Sequence, residues 1–266
     1  MFIDVIIPTY QPGTYLIETL QSIQKQKIPF DKFKVTVVLN GCKEPYYTDI
    51  KKFLSQFSFN YSFIYTEKKG VSNARNLGLE STSNPYILFL DDDDLLSENY
   101  LEELLFSACN DGIVTSNVFS FKESQDVLIE DYLSFKHKFK SKSLIKYRKY
   151  LSNSCSKLIP RKLIGVSRFN LKLDKSEDAL FMFEISNDIK SITSTSTEVI
   201  YYRRLRPNSA SRKQIKMTHE ILNGFQIMWN FTLVYLKSPL QYNFLLYLTR
   251  LLAVIKRLGL TFKSLL

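Results

Sequence analysis

The stretch Tyr86-Ile-Leu-Phe-Leu-Asp-Asp-Asp-Asp94 joins a short apolar run to four consecutive carboxylates. The apolar part follows Asn84-Pro85, a turn signal, and has the length and composition of a buried strand. Four adjacent carboxylates repel one another unless a cation neutralises them, and hard oxygen ligands suit Mg²⁺ or Mn²⁺. Because ligands bind at the carboxyl ends of strands in open α/β sheets, the stretch predicts a cation site there. A solvated acidic turn that caps the next helix is the alternative.

Apolar runs and amphipathic segments alternate on both sides of this stretch, through residues 1–120. The predicted strands are short β-branched or aromatic runs, and the predicted helices carry apolar residues at helical spacing. Such alternation implies βαβ units and a mostly parallel sheet, as in a Rossmann-like α/β fold. The predicted strands are Ile3–Ile7, Val35–Leu39, Tyr61–Tyr65, Tyr86–Leu90 and Ile113–Val118. Of the four predicted helices, the first follows Thr14 as its cap, the next two span Ile50–Phe57 and Val71–Glu80, and the fourth begins at Ser97.

The second half of the chain has a weaker pattern. The basic, aromatic segment Asp126–Tyr150 predicts exposed helices or a mobile loop, with a solvated basic face as the default interpretation. Asp178–Ser186 has helical spacing, and the Thr-rich segment Thr193–Arg203 predicts one strand. We divide the chain into a nucleotide-binding half at 1–120, a second half of the same domain at 121–213, and a basic amphipathic helical tail at 214–266.

The positive charge is concentrated in the last quarter of the chain. The 266 residues carry a net charge of +10, yet residues 1–200 contain 25 basic and 25 acidic side chains, and residues 201–266 contain 11 and 1. This asymmetry indicates a surface for polyanions, either nucleic acid or an anionic membrane. Nucleic-acid binding would need base-stacking or groove-reading elements beside the charge, so we predict no nucleic-acid partner.

The tail itself predicts two amphipathic helices separated at Ser238-Pro239. Arg250, Lys256 and Arg257 interrupt the second one, and no stretch reaches the ~20 apolar residues that span a bilayer. Helices that lie on the membrane, with the basic residues toward anionic headgroups, fit this pattern. Packing of the helices on the sheet and a homodimer contact are the alternatives.

The cysteines and the N-terminal residues bear on the compartment. Cys42, Cys109 and Cys155 have no paired spacing and no histidine cluster nearby, which predicts neither a disulfide framework nor a zinc site. The first residues lack a basic n-region and predict a strand. We therefore expect a cytoplasmic location, with the tail peripheral on the inner face of the membrane.

Polar motifs follow the predicted strand ends as an ordered set across residues 1–210. They are Pro8-Thr9-Tyr10, Asn40-Gly41, Gly70-Val-Ser-Asn-Ala-Arg-Asn-Leu-Gly78, Asp91–Asp94 and Glu177-Asp178. In this order the set resembles the inverting glycosyltransferases of family 2, which have the GT-A fold and act in bacterial surface polysaccharide synthesis. The resemblance implies that the first half binds a nucleotide sugar and that the second half holds the acceptor and the catalytic base.

For the donor, the resemblance implies a slot for base and ribose walled by Thr9 and Tyr10. Family members often carry Asp-Asp-Gly-Ser where this chain has Asn40-Gly41-Cys42, and this departure leaves the base open. Asn40 can still pair with a uracil or thymine edge, and a UDP-sugar is the favoured donor. Arg75 matches a position that faces the nucleotide, and a salt bridge to the acidic loop is its alternative role. Arg206 lies in a segment, 201–209, that resembles a lid over the diphosphate. The implied donor-binding residues are Pro8, Thr9, Tyr10, Asn40, Arg75, Asn76, Asp91, Asp92 and Arg206.

Within the acidic run, the resemblance implies a D-x-D pair formed by Asp91 and Asp93, with Asp93 as a direct ligand of Mn²⁺ or Mg²⁺. Asp92 would lie near the ribose, and Asp94 would cap or orient the loop. A metal at this place would bridge the diphosphate oxygens and neutralise charge on the leaving group.

The pair Glu177-Asp178 begins a predicted helix, where carboxylates are favoured for electrostatic reasons alone. The resemblance implies that Asp178 is the general base for an acceptor hydroxyl, with inversion at the anomeric carbon; Glu177 would exchange roles with it or bind the acceptor. The expected activity is transfer of a hexosyl or N-acetylhexosaminyl group to a saccharide acceptor carried on a lipid, such as a polyprenyl diphosphate. A non-catalytic GT-A-like partner of another transferase is the alternative.

Overall fold

A computed structural model of the chain describes residues 2–206 and 217–263, in which twelve strands form two sheets. An eight-stranded sheet has the order β3-β2-β1-β4-β10-β6-β11-β9, and a four-stranded sheet has the order β5-β12-β7-β8. The strands are β1 Ile3–Thr9, β2 Phe33–Asn40, β3 Tyr61–Thr66, β4 Tyr86–Phe89, β5 Leu95–Leu96, β6 Gly112–Thr115, β7 Asn117–Phe121, β8 Ile129–Glu130, β9 Lys140–Ser141, β10 Lys157–Pro160, β11 Ser191–Ser194 and β12 Ile200–Arg204.

The large sheet confirms the predicted mostly parallel α/β architecture. Strands β3, β2, β1 and β4 are all parallel, so the polar residues that follow β1 and β4 emerge at the same edge. β10 and β9 run antiparallel to their neighbours, while β6 and β11 pair parallel. All seven residues of β1 are buried, as expected of a strand covered on both faces.

Eight α-helices are described. They are α1 Tyr15–Gln24, α2 Tyr46–Leu54, α3 Val71–Glu80, α4 Tyr100–Phe106, α5 Arg161–Ile164, α6 Glu177–Glu184, α7 Met217–Lys237 and α8 Phe244–Lys263, with 3₁₀ turns at Phe30–Lys32, Arg148–Leu151 and Ile185–Asn187. α3 has the predicted bounds, and Gly70 precedes it with φ +134°, a conformation that favours glycine. Thr14 precedes α1 as predicted, but its side chain makes no capping hydrogen bond.

Two segments predicted as single strands are each divided between the two sheets. The run 113–118 breaks at Ser116, whose backbone N–H donates to the carbonyl of Ser156, and the chain passes there from β6 to β7. The run 193–203 breaks in the same way between β11 and β12. Each half satisfies its backbone groups with a different sheet, and neither run contains a Gly or Pro that would indicate the change of partner.

The prediction for the basic segment 126–150 was wrong in one respect. It contains no α-helix: it runs through β8, extends as β9 along the edge of the large sheet, and ends in the 3₁₀ turn. The backbone of β9 pairs with β11 through Lys140 and Ser141. The segment is therefore part of the sheet and presents its lysines at that edge.

The tail forms the two predicted helices, and these pack on the body of the protein. The ring of Phe231 in α7 lies 5.4 Å from that of Phe183 in α6, and the buried Leu246 of α8 belongs to the same core. Among the described residues, no helix combines the length and the hydropathy needed to cross a bilayer.

Two basic residues of the tail contact the body of the protein, in agreement with the alternative that the helices pack on the sheet. The buried Arg250 donates from Nη2 to the carbonyls of Arg148 and Leu151, each at 3.2 Å. Arg257 Nη1 donates to Ser176 Oγ, also at 3.2 Å. Both guanidinium groups therefore join the tail to the domain.

Candidate active site

The candidate active site lies at the edge of the large sheet where β1 and β4 end. Thr9 Oγ1 donates a hydrogen bond of 2.5 Å to Asp92 Oδ2, which brings the first motif and the acidic loop together. Tyr10 follows with 39% of its surface exposed, and Lys69 Nζ lies 4.3 Å from its ring centre. An exposed aromatic ring beside a cation at the end of a parallel strand can stack on a nucleobase.

Arg75 connects the acidic loop to the pair at the start of α6. Its guanidinium is 2% exposed and lies 2.9 Å from Asp91 Oδ1, 2.8 Å from Asp178 Oδ1 and 3.4 Å from Glu177 Oε1. Burial alone would lower the pKa of Arg75, but the carboxylates of Asp178 and Asp91 raise it well above its ordinary value. The side chain is therefore a permanent cation among three carboxylates, and the salt bridge considered as its alternative role is present.

Asp178 is held by two hydrogen bonds that reach the same oxygen. Arg75 Nη1 and Ser154 Oγ both donate to Oδ1, the latter at 2.6 Å. Within the described residues Oδ2 accepts no hydrogen bond, and 22% of the side chain is exposed. The arrangement fixes the orientation of the carboxylate and leaves one oxygen able to accept a proton.

A buried lysine supports the loop that presents Ser154. Lys157 is fully buried, and its Nζ donates to the Cys155 carbonyl at 2.9 Å and contacts Asn153 Oδ1. Burial lowers its pKa to about 7. Ser154 and Lys157 belong to the segment Ser154–Ile159, which resembles the acceptor-side strand of the family, and β10 starts at Lys157.

The remaining aspartates of the loop contact β12 and the residues after it. Arg206 forms an ion pair with Asp93, and the backbone N–H of Arg204 donates to Asp94 Oδ1 at 2.8 Å. Burial and the neighbouring carboxylates raise the pKa of Asp93 to about 6 and that of Asp94 well above its ordinary value. Burial likewise raises the pKa of Asp92 to about 7. These three carboxyls therefore resist ionisation in the ligand-free protein, and a bound cation would favour their charged forms.

The other predicted donor residues surround the pocket and support it. Asn40 donates to the Thr9 carbonyl at 2.7 Å and accepts from the Gly70 N–H at 2.9 Å, so its amide connects β1 to the start of α3. Asn76 exchanges two hydrogen bonds with the backbone of Phe169, whose ring lies 5.3 Å beneath the Arg75 guanidinium. Pro8 is buried within β1. These contacts position neighbouring groups; donor binding by these residues stays a prediction, and residues 207–209 of the predicted lid lie outside the described residues.

The residues of this site lie in a sequence that matches a known protein family. The model of the family described as Glycosyl transferase family 2 matches residues 4–164, more than half of the chain. The chain belongs to glycosyl transferase family 2. The match includes β1, α3 and the acidic loop, and it ends before Glu177-Asp178.

This family 2 chain is also similar to individual relatives and solved structures. It is 28% identical over 225 residues to the minor teichoic acid biosynthesis protein GgaB of Bacillus subtilis strain 168. The aligned region covers 79% of this chain and 24% of GgaB. S. aureus TarS 1-349 in complex with UDP-GlcNAc gives a TM-score of 0.72 at 21% identity, over 87% of this chain and 66% of that one. The mannosyltransferase PcManGT from Pyrobaculum calidifontis, in complex with GDP-Man and Mn²⁺, gives a TM-score of 0.57 at 16% identity, over 86% of this chain and 63% of that one. The structural likenesses confirm the GT-A fold, and the chain spans only part of each relative.

The acidic loop suits a divalent cation that arrives with a diphosphate. No group of three or more His, Cys, Asp or Glu side chains within residues 2–206 and 217–263 is arranged to hold a metal alone. Mg²⁺-type ions, however, are commonly held by one or two carboxylates together with substrate phosphates. The guanidinium of Arg206 already lies beside Asp93 as an internal cation. The carboxylate ligands of this loop therefore fit such an ion.

Glu177 gives the site a measurable pH dependence. Burial and the Asp178 carboxylate raise its pKa from 4.5 to about 7, so the folded state binds an extra proton between these values. Stability contributed by this group therefore falls as pH rises through that window, and above pH 7 the charged side chain is destabilising. We expect Glu177→Gln to raise the free energy of unfolding at pH 8 by roughly 1–3 kcal/mol.

Denaturant unfolding at pH 8 and at pH 4.5 measures this effect. Most of the gain should disappear at the lower pH, where the wild-type side chain is protonated in the folded state and about half protonated in the unfolded state. Glu102→Gln, on the exposed side of α4, is the matched control and should change neither value. A gain that is equal at both pH values would contradict the assignment.

Proposed function

We propose that this chain is a metal-dependent, inverting glycosyltransferase that moves a hexosyl or N-acetylhexosaminyl group from a nucleotide sugar to a hydroxyl of a saccharide acceptor. The observation that carries the proposal is the Arg75 guanidinium, which joins Asp91 of the donor-side loop to Asp178. The two groups needed for transfer, a diphosphate site and a base, thus lie within the reach of one side chain.

Asp178 is the proposed general base. Ser154 and Arg75 hold Oδ1, so Oδ2 can take the proton of an acceptor hydroxyl as the oxygen attacks the anomeric carbon. The bond to the nucleoside diphosphate breaks on the opposite face of the sugar. A single displacement of this kind inverts the configuration at that carbon, since no enzyme nucleophile intervenes.

Asp91 and Asp93 are the residues that would hold Mn²⁺ or Mg²⁺. A divalent ion at this place supplies charge neutralisation for the diphosphate leaving group. Arg206 lies beside Asp93 and can shift from that carboxylate to a phosphate oxygen, because guanidinium groups bind both. Thr9 fixes Asp92 near the slot where Tyr10 offers a stacking surface.

The donor class favoured here is a UDP-sugar. TarS 1-349 binds UDP-GlcNAc and shares the fold over most of this chain, which supports uracil as the base of the donor. GgaB is a teichoic acid biosynthesis protein, so an acceptor in surface-polymer assembly, carried on a polyprenyl diphosphate, agrees with the resemblance.

Association with the inner face of the membrane is the last part of the proposal. α7 exposes an apolar stripe at helical spacing, consisting of Leu222, Phe225, Trp229, Leu233 and Leu236. Patches of exposed Trp, Phe and Leu on an amphipathic helix are typical of interfacial binding, and a lipid-linked acceptor would be found there.

Nucleoside diphosphate release tests the reaction. The protein is incubated with UDP-, GDP- and TDP-sugars, Mn²⁺ and a polyprenyl-diphosphate-linked saccharide, and NMR of the product reports the anomeric configuration. We expect turnover with a UDP-sugar and an inverted product. Nucleotide binding without turnover would favour the non-catalytic alternative, and a retained configuration would refute Asp178 as a lone base.

A further inference from the structure

A second polar cavity lies at the opposite end of the sheet from the acidic loop. Its volume is about 840 Å³, and we call it the edge cavity. Cys109 and Asp111 precede β6, Lys190 precedes β11, and β6 runs in the same direction as β4 because both are antiparallel to β10. The cavity therefore opens at the amino ends of strands whose carboxyl ends face the candidate active site, and it is a separate site.

The charge of the edge cavity favours an anion. Lys140 lies in β9, Lys142 follows it and Lys190 precedes the neighbouring β11; all three line the cavity, with Asp111 as its single carboxylate. None of these three lysines forms an ion pair with a described residue. All three are exposed, so an ion can approach them from solvent.

The amino end of α8 adds to this field. Asn243, which lines the cavity, accepts a hydrogen bond at 3.0 Å from the N–H of Leu246 in the first turn of this 20-residue helix. Helix amino ends carry partial positive charge and stabilise nearby anions. The lysines and the helix end thus act on the same volume.

Exposed apolar side chains stand directly beside this basic cavity. Gln241 and Asn243 line it, and the residues on either side of them in the α7–α8 turn are Leu240, which is fully exposed, and Phe244, which is 52% exposed. Leu236 and Leu245 extend the apolar surface at 59% and 56%. We call these four residues the apolar turn.

We propose that the edge cavity and the apolar turn together dock the protein on an anionic membrane, with a lipid headgroup phosphate seated among Lys140, Lys142 and Lys190. The lysines match the headgroup charge, and the apolar turn matches the acyl region just below it. A soluble phosphate or a polyol-phosphate polymer would use the lysines but would leave the leucines in water. The inference rests on the membrane association in the proposed function and gives it a location.

This placement assigns a function to Lys140 and Lys142 of the basic segment 126–150, which the proposed reaction does not use. It also changes the expected origin of membrane affinity, since Arg250 and Arg257 are engaged inside the protein. The headgroup contacts come from the sheet edge, and the tail contributes apolar contacts.

The test is vesicle flotation of the full chain with K140E/K142E/K190E. Wild-type protein should bind vesicles of phosphatidylcholine mixed with phosphatidylglycerol and should bind pure phosphatidylcholine weakly. Because each surface cation contributes roughly 1 kcal/mol to such binding, the variant should bind the mixed vesicles on the order of 100-fold more weakly. The matched control K25E/K51E/K52E makes the same charge change on α1 and α2 and should lose no more than about threefold at physiological salt.

A second variant tests the apolar turn. L240D/F244D should lose binding to mixed vesicles while its circular dichroism and its affinity for soluble nucleotide stay unchanged. Wild-type protein that does not prefer mixed vesicles, or equal losses in the lysine variant and its control, would overturn the proposal. So would intact vesicle binding by the lysine variant together with lost binding of soluble poly(glycerol phosphate), which would make the cavity a polymer site.

Failure of the proposed reaction can be told apart from failure of this inference. Nucleotide-sugar turnover is measured with a water-soluble saccharide acceptor and no vesicles. Loss of turnover with intact, lysine-dependent flotation would refute the transferase assignment alone. Normal turnover without flotation would refute the docking site alone.

Discussion

Replacing Asp178 by Asn is expected to lower the turnover number by about 10²–10⁴, the contribution of a positioned general base. The amide keeps the shape of the carboxylate, and its oxygen can still accept from Arg75 and Ser154. It cannot take a proton from the acceptor hydroxyl. Nucleotide affinity should therefore stay close to that of the wild type, while transfer nearly stops.

Two controls make this outcome specific. Asp188→Asn changes an exposed aspartate just after α6 and should leave turnover unchanged. Glu177→Gln separates the two members of the pair, because only the true base should show the large loss. Retention of more than about a tenth of wild-type turnover by Asp178→Asn would contradict its assignment.

The local part of the fold could be predicted from the sequence because its signals are local. α3 begins after Gly70 and ends at Glu80 as predicted, since a positive-φ glycine and an amphipathic run define it without other contacts. The confirmed parallel sheet likewise follows from strand-helix spacing. The break at Ser116 could not be predicted, because its cause is a hydrogen bond to the Ser156 carbonyl, 40 residues away along the chain.

In the candidate active site, too, the sequence identified residues but not the groups that they contact. Motifs identified Arg75, Asp91 and Asp178, but the sequence does not encode that one guanidinium joins carboxylates 16 and 103 positions away. Asn40 and Asn76 were predicted to bind the donor, which stays a prediction; the sequence did not indicate that both amides also contact backbone groups. Which face of a motif residue points into a pocket is decided by packing, which residue type alone does not specify.

The last quarter of the chain, residues 201–266, shows why a charge count misleads. Three of its arginines are paired inside the structure: Arg203 with Asp131, Arg204 with Glu18 and Arg206 with Asp93. Exposed lysines also lie at the sheet edge, in the segment 126–150, whose charge the sequence suggested was simply solvated. Net charge along a chain therefore predicts a partner only after internal ion pairs are removed.

The acidic loop gives the last prediction, on Asp93→Ala. With Mn²⁺ present, we expect the dissociation constant for UDP to rise by at least about 10- to 100-fold, because a direct metal ligand is lost. Without metal, the variant should bind UDP as well as the wild type or better, since removal of the carboxylate also removes a repulsion of the diphosphate and releases Arg206. Calorimetric titration with and without Mn²⁺ measures both values.

The pH dependence of the same titration provides an independent check. The pKa of Asp93 is raised to about 6, so the wild-type carboxyl is ionised above this value and increasingly neutral below it. The Mn²⁺-dependent gain in UDP affinity should therefore be full near pH 8 and decline as pH falls through 6, and the variant should lack this decline. Asp31→Ala, which removes an exposed aspartate paired with Lys32, should behave as wild type. An Mn²⁺ effect that survives in Asp93→Ala would show that the ion is held elsewhere, and the diphosphate site would then have to be reassigned.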